Sequence, residues 1–302
     1  MGEGASIAAR FAQYFCLLVL FGGAAFGLYA PRAAALWPLR RWLVGMAGGG
    51  LVCAVLALMV QAAAMSGLAA SAVDPAMLWM TASTTQSGHA WLVRATALVG
   101  ALFGLAFFKS QPGWTAAFAA VAVATVAWSG HGAQTEGLLG CAHLAVDIAH
   151  LLAAGLWVGA LLCLAVMVFA IPATDPDQGA GIVEDTLARF AGLGSLLVAT
   201  LIATGLANTA FLVDRATIIR LPAEPWGRVL LAKLALFLGM TGLAGANRFV
   251  LTPRLRRTLA DPDARVRAIG GLRLSVLTET GLGLLVLGLV AWLGLLSPPI
   301  EG

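Results

Sequence analysis

The sequence predicts an all-α membrane bundle of eight transmembrane helices with both termini on the outer side. Three observations predict it. The first is composition: of 302 residues 60% are hydrophobic and 11% charged, with a mean hydropathy of +0.92. A soluble domain carries about 25% charged residues, so a water-soluble globule of this size would lack the polar surface to cover itself. Disorder is excluded too, because it needs low hydrophobicity and high charge. The second is a series of eight apolar runs. The third is the bunching of the basic residues.

A helix needs ~20 apolar residues to cross the hydrocarbon core. The runs 11–30, 42–66, 89–108, 113–130, 141–170, 189–213, 228–250 and 273–296 meet or approach that length, the fourth being the shortest. Between them stand Pro31 and Pro38, Asp74-Pro75, Gln111-Pro112, Pro172 to Pro176, Pro222 and Pro225, and Pro253 and Pro262, the residues that interrupt helices. No soluble insertion separates the spans, so residues 1–302 read as a single transmembrane domain. The first run is too long for a signal-peptide core and is kept as a helix. The four cysteines show no CxxC spacing and imply no disulfide framework.

Eight spans put both termini on one side. That side carries four basic residues, Arg10, Arg215, Arg220 and Arg228. The other side carries twelve: Arg32, Arg40, Arg41, Lys109, Arg189, and seven arginines between Arg248 and Arg273. The positive-inside rule puts the twelve in the cytoplasm, and both termini in the periplasm. The juxtamembrane arginines thus have a topological reason, and no nucleic-acid partner is expected.

This orientation gives every polar residue within the spans a depth. His89, His131, His143 and His150 all fall at the outer face or in the outer half, as do Gln61, Asn208, Arg94 and Lys233. Ionisable groups in a bilayer are costly and face the bundle interior or a wet cavity. The densest pattern is H-L-A-V-D-I-A-H, residues 143–150. At ~100° per residue, His143, Asp147 and His150 share one helix face, which Ala154 and Trp157 continue. Asp147 is within a turn of both imidazoles and is placed to accept a ring N–H, as a carboxylate does beside a metal-bound histidine. Isolated histidines more often only hydrogen-bond a neighbouring helix; three ionisable groups on one intramembrane stripe favour a site.

His143 and His150 are separated by about 10 Å of helix rise. Metal–nitrogen bonds near ~2 Å do not bridge that gap from one straight helix, so two sites or two steps of one path are expected. The upper step would take a second ligand from His131 or His89, the deeper one from another helix. Imidazole with thioether or thiolate suits copper, and Met65, Met77, Met80 and Cys141 lie at the right depth as accessory ligands. In the inner half Glu279 is the one acid well inside, and it reads either as part of an exit path or as the partner of Arg273 or Arg248. Arg94 and Lys233 are expected to snorkel outward or pair with polar neighbours.

W-S-G-H-G (128–132) followed by H-L-A-V-D-I-A-H-L-L-A-A-G-L-W-V-G (143–159) resembles the copper resistance protein D (CopD) family of bacterial inner-membrane proteins. F-A-G-L-G-S (190–195), A-T-G-L-A-N (203–208), W-G-R-V-L-L-A-K-L (226–234), G-A-N-R-F-V-L-T-P-R-L (245–255) and L-R-L-S-V-L-T-E (272–279) extend the resemblance, with S-T-T-Q-S-G-H-A-W-L-V-R (83–94) as a looser match. The resemblance implies a multi-pass protein of copper homeostasis, not an enzyme, that moves copper from periplasm toward cytoplasm. It implies His131, His143, His150 and Asp147 as copper ligands. It also implies a CopC-like periplasmic copper-binding partner, expected here as a separate protein.

Two other functions compete. A b-type haem oxidoreductase would need two imidazoles at similar depth on facing helices, His131 with His143 or His89 with His143. A non-transporting partner would accept copper from a periplasmic chaperone and go no further. Copper's oxidation state is not readable, and nitrogen ligands alone also admit zinc or nickel. No P-loop, nucleotide fingerprint or hydrolase triad is present.

Overall fold

The computed structural model describes residues 3–108, 112–129, 137–170, 176–213 and 218–297, and among these every regular element is helical. In chain order the helices are α1 (Glu3–Tyr29), α2 (Pro31–Ala34), α3 (Leu39–Ser66), α4 (Pro75–Thr84), α5 (Gln86–Phe107), α6 (Pro112–Ala124), α7 (Gly137–Phe169), α8 (Pro176–Leu212), α9 (Pro225–Ala246), α10 (Thr252–Arg257) and α11 (Pro262–Leu293). Seven helical runs are long and apolar enough to cross a membrane. The run Pro112–Trp128, expected as the shortest span, is apolar but falls short of that length.

The expected punctuation caps the helices. Asp74 accepts from the backbone N–H of Met77 at 2.8 Å with Pro75 in the first turn. Asp261 accepts from Asp263 and Ala264 ahead of α11, again with proline in the first turn. These side chains satisfy N–H groups that the first helical turn leaves unbonded. Gly67, with φ +70°, closes α3 in the left-handed conformation that glycine adopts without steric cost. Several helices outrun the expected spans. α11 begins eleven residues before the expected start, because a capped, Arg-rich segment stays helical in water beyond the apolar core.

α1 is the central post. It packs on α3, α6, α7 and α11. One side of the bundle is built from α3, α5 and α6 around Leu17, Leu20, Leu98 and Val123. On the other side α7 packs against α8 and α11, and α9 lies on α11. Lipid is as apolar as leucine, so association in a bilayer relies on close van der Waals fit and on small residues that let backbones meet. Gly155 and Gly159 of α7 meet Gly22 of α1 in this way. A Cβ on Gly22 would sit 2.7 Å from the Gly159 Cα, and one on Gly159 2.5 Å from the Gly22 Cα.

Arg94 does not snorkel. It is buried, and its guanidinium donates to the Thr125 hydroxyl (2.9 Å) and carbonyl (3.1 Å), where α6 tightens into a 3₁₀ turn over Thr125–Ser129. The bond goes to backbone that the end of α6 leaves free.

Candidate functional site

The stripe read from the sequence is present on α7 and faces protein. His143 is 2% exposed, and its ring stacks on Phe211 of α8 with centroids 4.5 Å apart and planes 14° apart. One turn deeper, Asn208 of α8 donates its amide Nδ2 to the Asp147 carboxylate at 3.2 Å. Deeper again, the His150 Nδ1 lies 2.8 Å from the Thr204 hydroxyl. Phe211, Asn208 and Thr204 descend α8 as His143, Asp147 and His150 descend α7. The two helices are therefore antiparallel and in register, and steps of three and four residues keep each set on one face.

A third wall comes from α9. The Lys233 ammonium interacts electrostatically with both Asp147 and His150. Sequence reasoning gave this lysine no functional place. The signal available was its depth, level with the acid one helix away.

At the inner end of the stripe Trp157 is buried, edge-on to Phe237 of α9 with centroids 5.6 Å apart. Its indole Nε1 donates to Glu279 Oε1 of α11 at 3.3 Å, and Asn247 Nδ2 donates to Glu279 Oε2 at 2.9 Å. Asn247 opens a π-helical segment, Asn247–Leu251, between α9 and α10. Such widened turns are rare and recur at functional positions. The pairing of Glu279 with arginine is not what forms. Arg273 donates to the Val168 carbonyl at 2.8 Å, and Arg248 to the Ala191 carbonyl at 2.7 Å and to the Ser195 hydroxyl.

The remaining candidates stand apart. His89 is exposed, and its Nε2 lies 2.8 Å from the Ser83 carbonyl at the corner of α4 and α5. Met65 and Met80 are exposed, Met77 is half-buried in α4, and Cys141 is exposed near the start of α7. His131 lies outside the described residues. Among the described residues no three His, Cys, Asp or Glu side chains converge on one point. His143, Asp147 and His150 are thus a ladder along one helix, as their spacing requires, not one coordination sphere. Among the described histidines none faces another across two helices in the way a bis-imidazole haem would require: His143 faces Phe211, His150 faces Thr204 and His89 turns to its own corner. A pair that the sequence did not single out is Cys16 of α1 and Cys53 of α3, whose thiols lie near enough to influence each other.

A ladder of imidazole and carboxylate, walled by three helices inside an apolar bundle, defines a polytopic membrane protein with an intramembrane polar site. Comparison with known proteins supplies the family. Residues 1–141 match the profile described as copper resistance protein D-like, N-terminal domain, and residues 184–293 match that of copper resistance protein D. The chain is 40% identical over 312 residues to copper resistance protein D of Pseudomonas syringae pv. tomato, covering 100% of this chain and 99% of that one. It is 28% identical over 297 residues to the inner membrane protein YebZ of Escherichia coli K12, covering 97% and 98%. It is 30% identical over 234 residues to the copper transport protein CutJ of Bacillus subtilis 168, covering 72% of this chain and 41% of that one. No solved structure matches the chain. The chain belongs to the copper resistance protein D family, and is a multi-pass protein of the inner membrane.

Proposed function

We propose that the chain takes copper from the periplasm and passes it along α7 toward the cytoplasm. The observation that carries this reading is the ladder of His143, Asp147 and His150, turned from lipid into the α7–α8–α9 interface. Imidazole and carboxylate are copper ligands, and two relatives carry copper in their names. His143 receives the ion first, with His131 or His89 as its outer neighbour. His150 receives it second. Asp147, between them, orients an imidazole and offsets positive charge. Met65, Met77, Met80 and Cys141 serve at the outer approach, and Trp157 and Glu279 close the stripe at its inner end.

The arginine excess on one side of the spans supports an orientation with both termini and the outer end of α7 in the periplasm. The Pro112–Trp128 run completes eight crossings as a short span. A separate CopC-like copper-binding protein delivers the ion at that face.

The test is cellular copper, measured by mass spectrometry, with and without the chain. His143→Ala and His150→Ala are expected to abolish most of the chain-dependent accumulation, and Asp147→Asn to weaken copper binding by about 10–100-fold, the usual effect of losing a ligand-orienting group. Unchanged accumulation in both histidine variants would overturn the proposal. Liposomes enclosing a copper-sensitive dye separate passage from reception without transport: a lumenal signal means a conduit.

A further inference from the structure

The inner end of the α7 stripe holds a second polar centre, chemically unlike the first. Glu279 is 2% exposed, inside a membrane bundle, and its hydrogen-bond partners among the described residues are the neutral N–H groups of Trp157 and Asn247. Neither can carry a compensating charge. The nearby arginines are committed to backbone carbonyls. An isolated carboxylate in low dielectric is costly unless something positive joins it.

Two further oxygens point to what joins it. Asn247 is 9% exposed and Ser275 8% exposed. The Asn247 Oδ1 and the Ser275 Oγ are both buried and without a hydrogen-bond partner among the described residues. Asn247 already lies against the carboxylate through its Nδ2. Ser275 is one helical turn before Glu279 on α11, on the same face. A buried polar atom without a partner calls for an explanation, and an unseen ion is one. The helix is also widened at Asn247, where the regular carbonyl bonding pattern shifts. Interrupted helices offer their backbone carbonyls to alkali cations in membrane transporters.

We propose that Glu279, Asn247 and Ser275 form a binding site for sodium ion. The donors are oxygens only: a carboxylate, an amide carbonyl and a hydroxyl. That set suits a hard cation and not copper, which favours nitrogen and sulfur. Trp157 cannot ligate, since its indole N–H only donates; it holds the carboxylate in place. The spare oxygen of Asn247, whose side chain already bonds the acid, and that of Ser275 on the acid's own helix face favour a metal cation over a proton, which needs one acceptor. The proposal goes beyond the copper reading and does not rest on it, because none of its three ligands belongs to the outer ladder.

The experiment is thermal unfolding of the purified full chain in detergent, in sodium chloride, potassium chloride and choline chloride at equal ionic strength, without copper. A ligand that binds only the folded state raises the midpoint as its concentration rises. The wild type is expected to melt several degrees higher in sodium than in choline. Glu279→Gln, which keeps the carboxyl shape, and Ser275→Ala, the milder change, are both expected to erase that difference. Equal midpoints in all three salts overturn the site. So does a midpoint that follows pH through Glu279 and ignores sodium, since the carboxyl then carries a proton. A sodium shift that survives both substitutions places the ion elsewhere and also overturns it. The copper accumulation assay is independent of every one of these outcomes.

Discussion

Asp147 has partners of different kinds, among them an amide from α8 and the charge of Lys233 on α9. Removing one member of a half-buried charge pair inside a membrane bundle leaves the other uncompensated, which costs more than removing both. Asp147→Asn and Lys233→Met are therefore each expected to lower the melting midpoint, and the double variant to recover part of the loss. Groups that interact in this way show a coupling of about 0.5–3 kcal/mol in a double-mutant cycle. Strict additivity would show that the two charges do not meet. The identities of the ladder residues were legible in the sequence, since His143, Asp147 and His150 fall on one face by helical period alone. Their partners were not. Thr204, Asn208 and Lys233 enter through the pairing of α7 with helices more than fifty residues away, and no local pattern encodes that register. Glu279 shows the same limit. Depth alone left it as part of an exit path or as an arginine's partner, whereas the packing of α7 and α9 on α11 delivers Trp157 and Asn247.

At the level of the helices, prolines and caps marked the boundaries well, because Asp74-Pro75 and Asp261-Pro262 each supply an acceptor and a preset φ at a first turn. Span length was less well marked, because α8 and α11 continue past their apolar segments. The crossing of α1 and α7 depends on three glycines that hydropathy does not distinguish from other apolar residues. Gly159→Val would place a branched side chain against the Gly22 backbone. Overpacking of this sort costs about 1–3 kcal/mol, and more where backbone blocks the shift. The expected result is a lower melting midpoint and a smaller folded fraction on gel filtration in detergent. Gly181→Val, at a position open around its Cα, is expected to change neither.

For the whole molecule, the testable property is orientation. Single cysteines at Leu138 and Arg254, both exposed, in a chain stripped of its own cysteines, report which side each occupies. A membrane-impermeant thiol reagent added to spheroplasts is expected to label the cysteine at 138 and not that at 254. The reverse pattern would put the imidazole ladder at the cytoplasmic end and overturn the proposed direction of copper passage. Charge bias was the part of the sequence that spoke to orientation, and it did so because arginine near a membrane is sorted during insertion irrespective of the fold.

The glycine contact between α1 and α7 also decides which parts of the bundle are free to rearrange. With main chain against main chain, α7 cannot shift without dragging the central post, and most of its apolar span is enclosed by protein. α8 and α9 are enclosed over far less of theirs. The histidine-bearing helix is thus a fixed rail. Under the proposed passage of copper, any movement that admits or releases the ion falls to these neighbours, and the histidine-bearing helix stays in place.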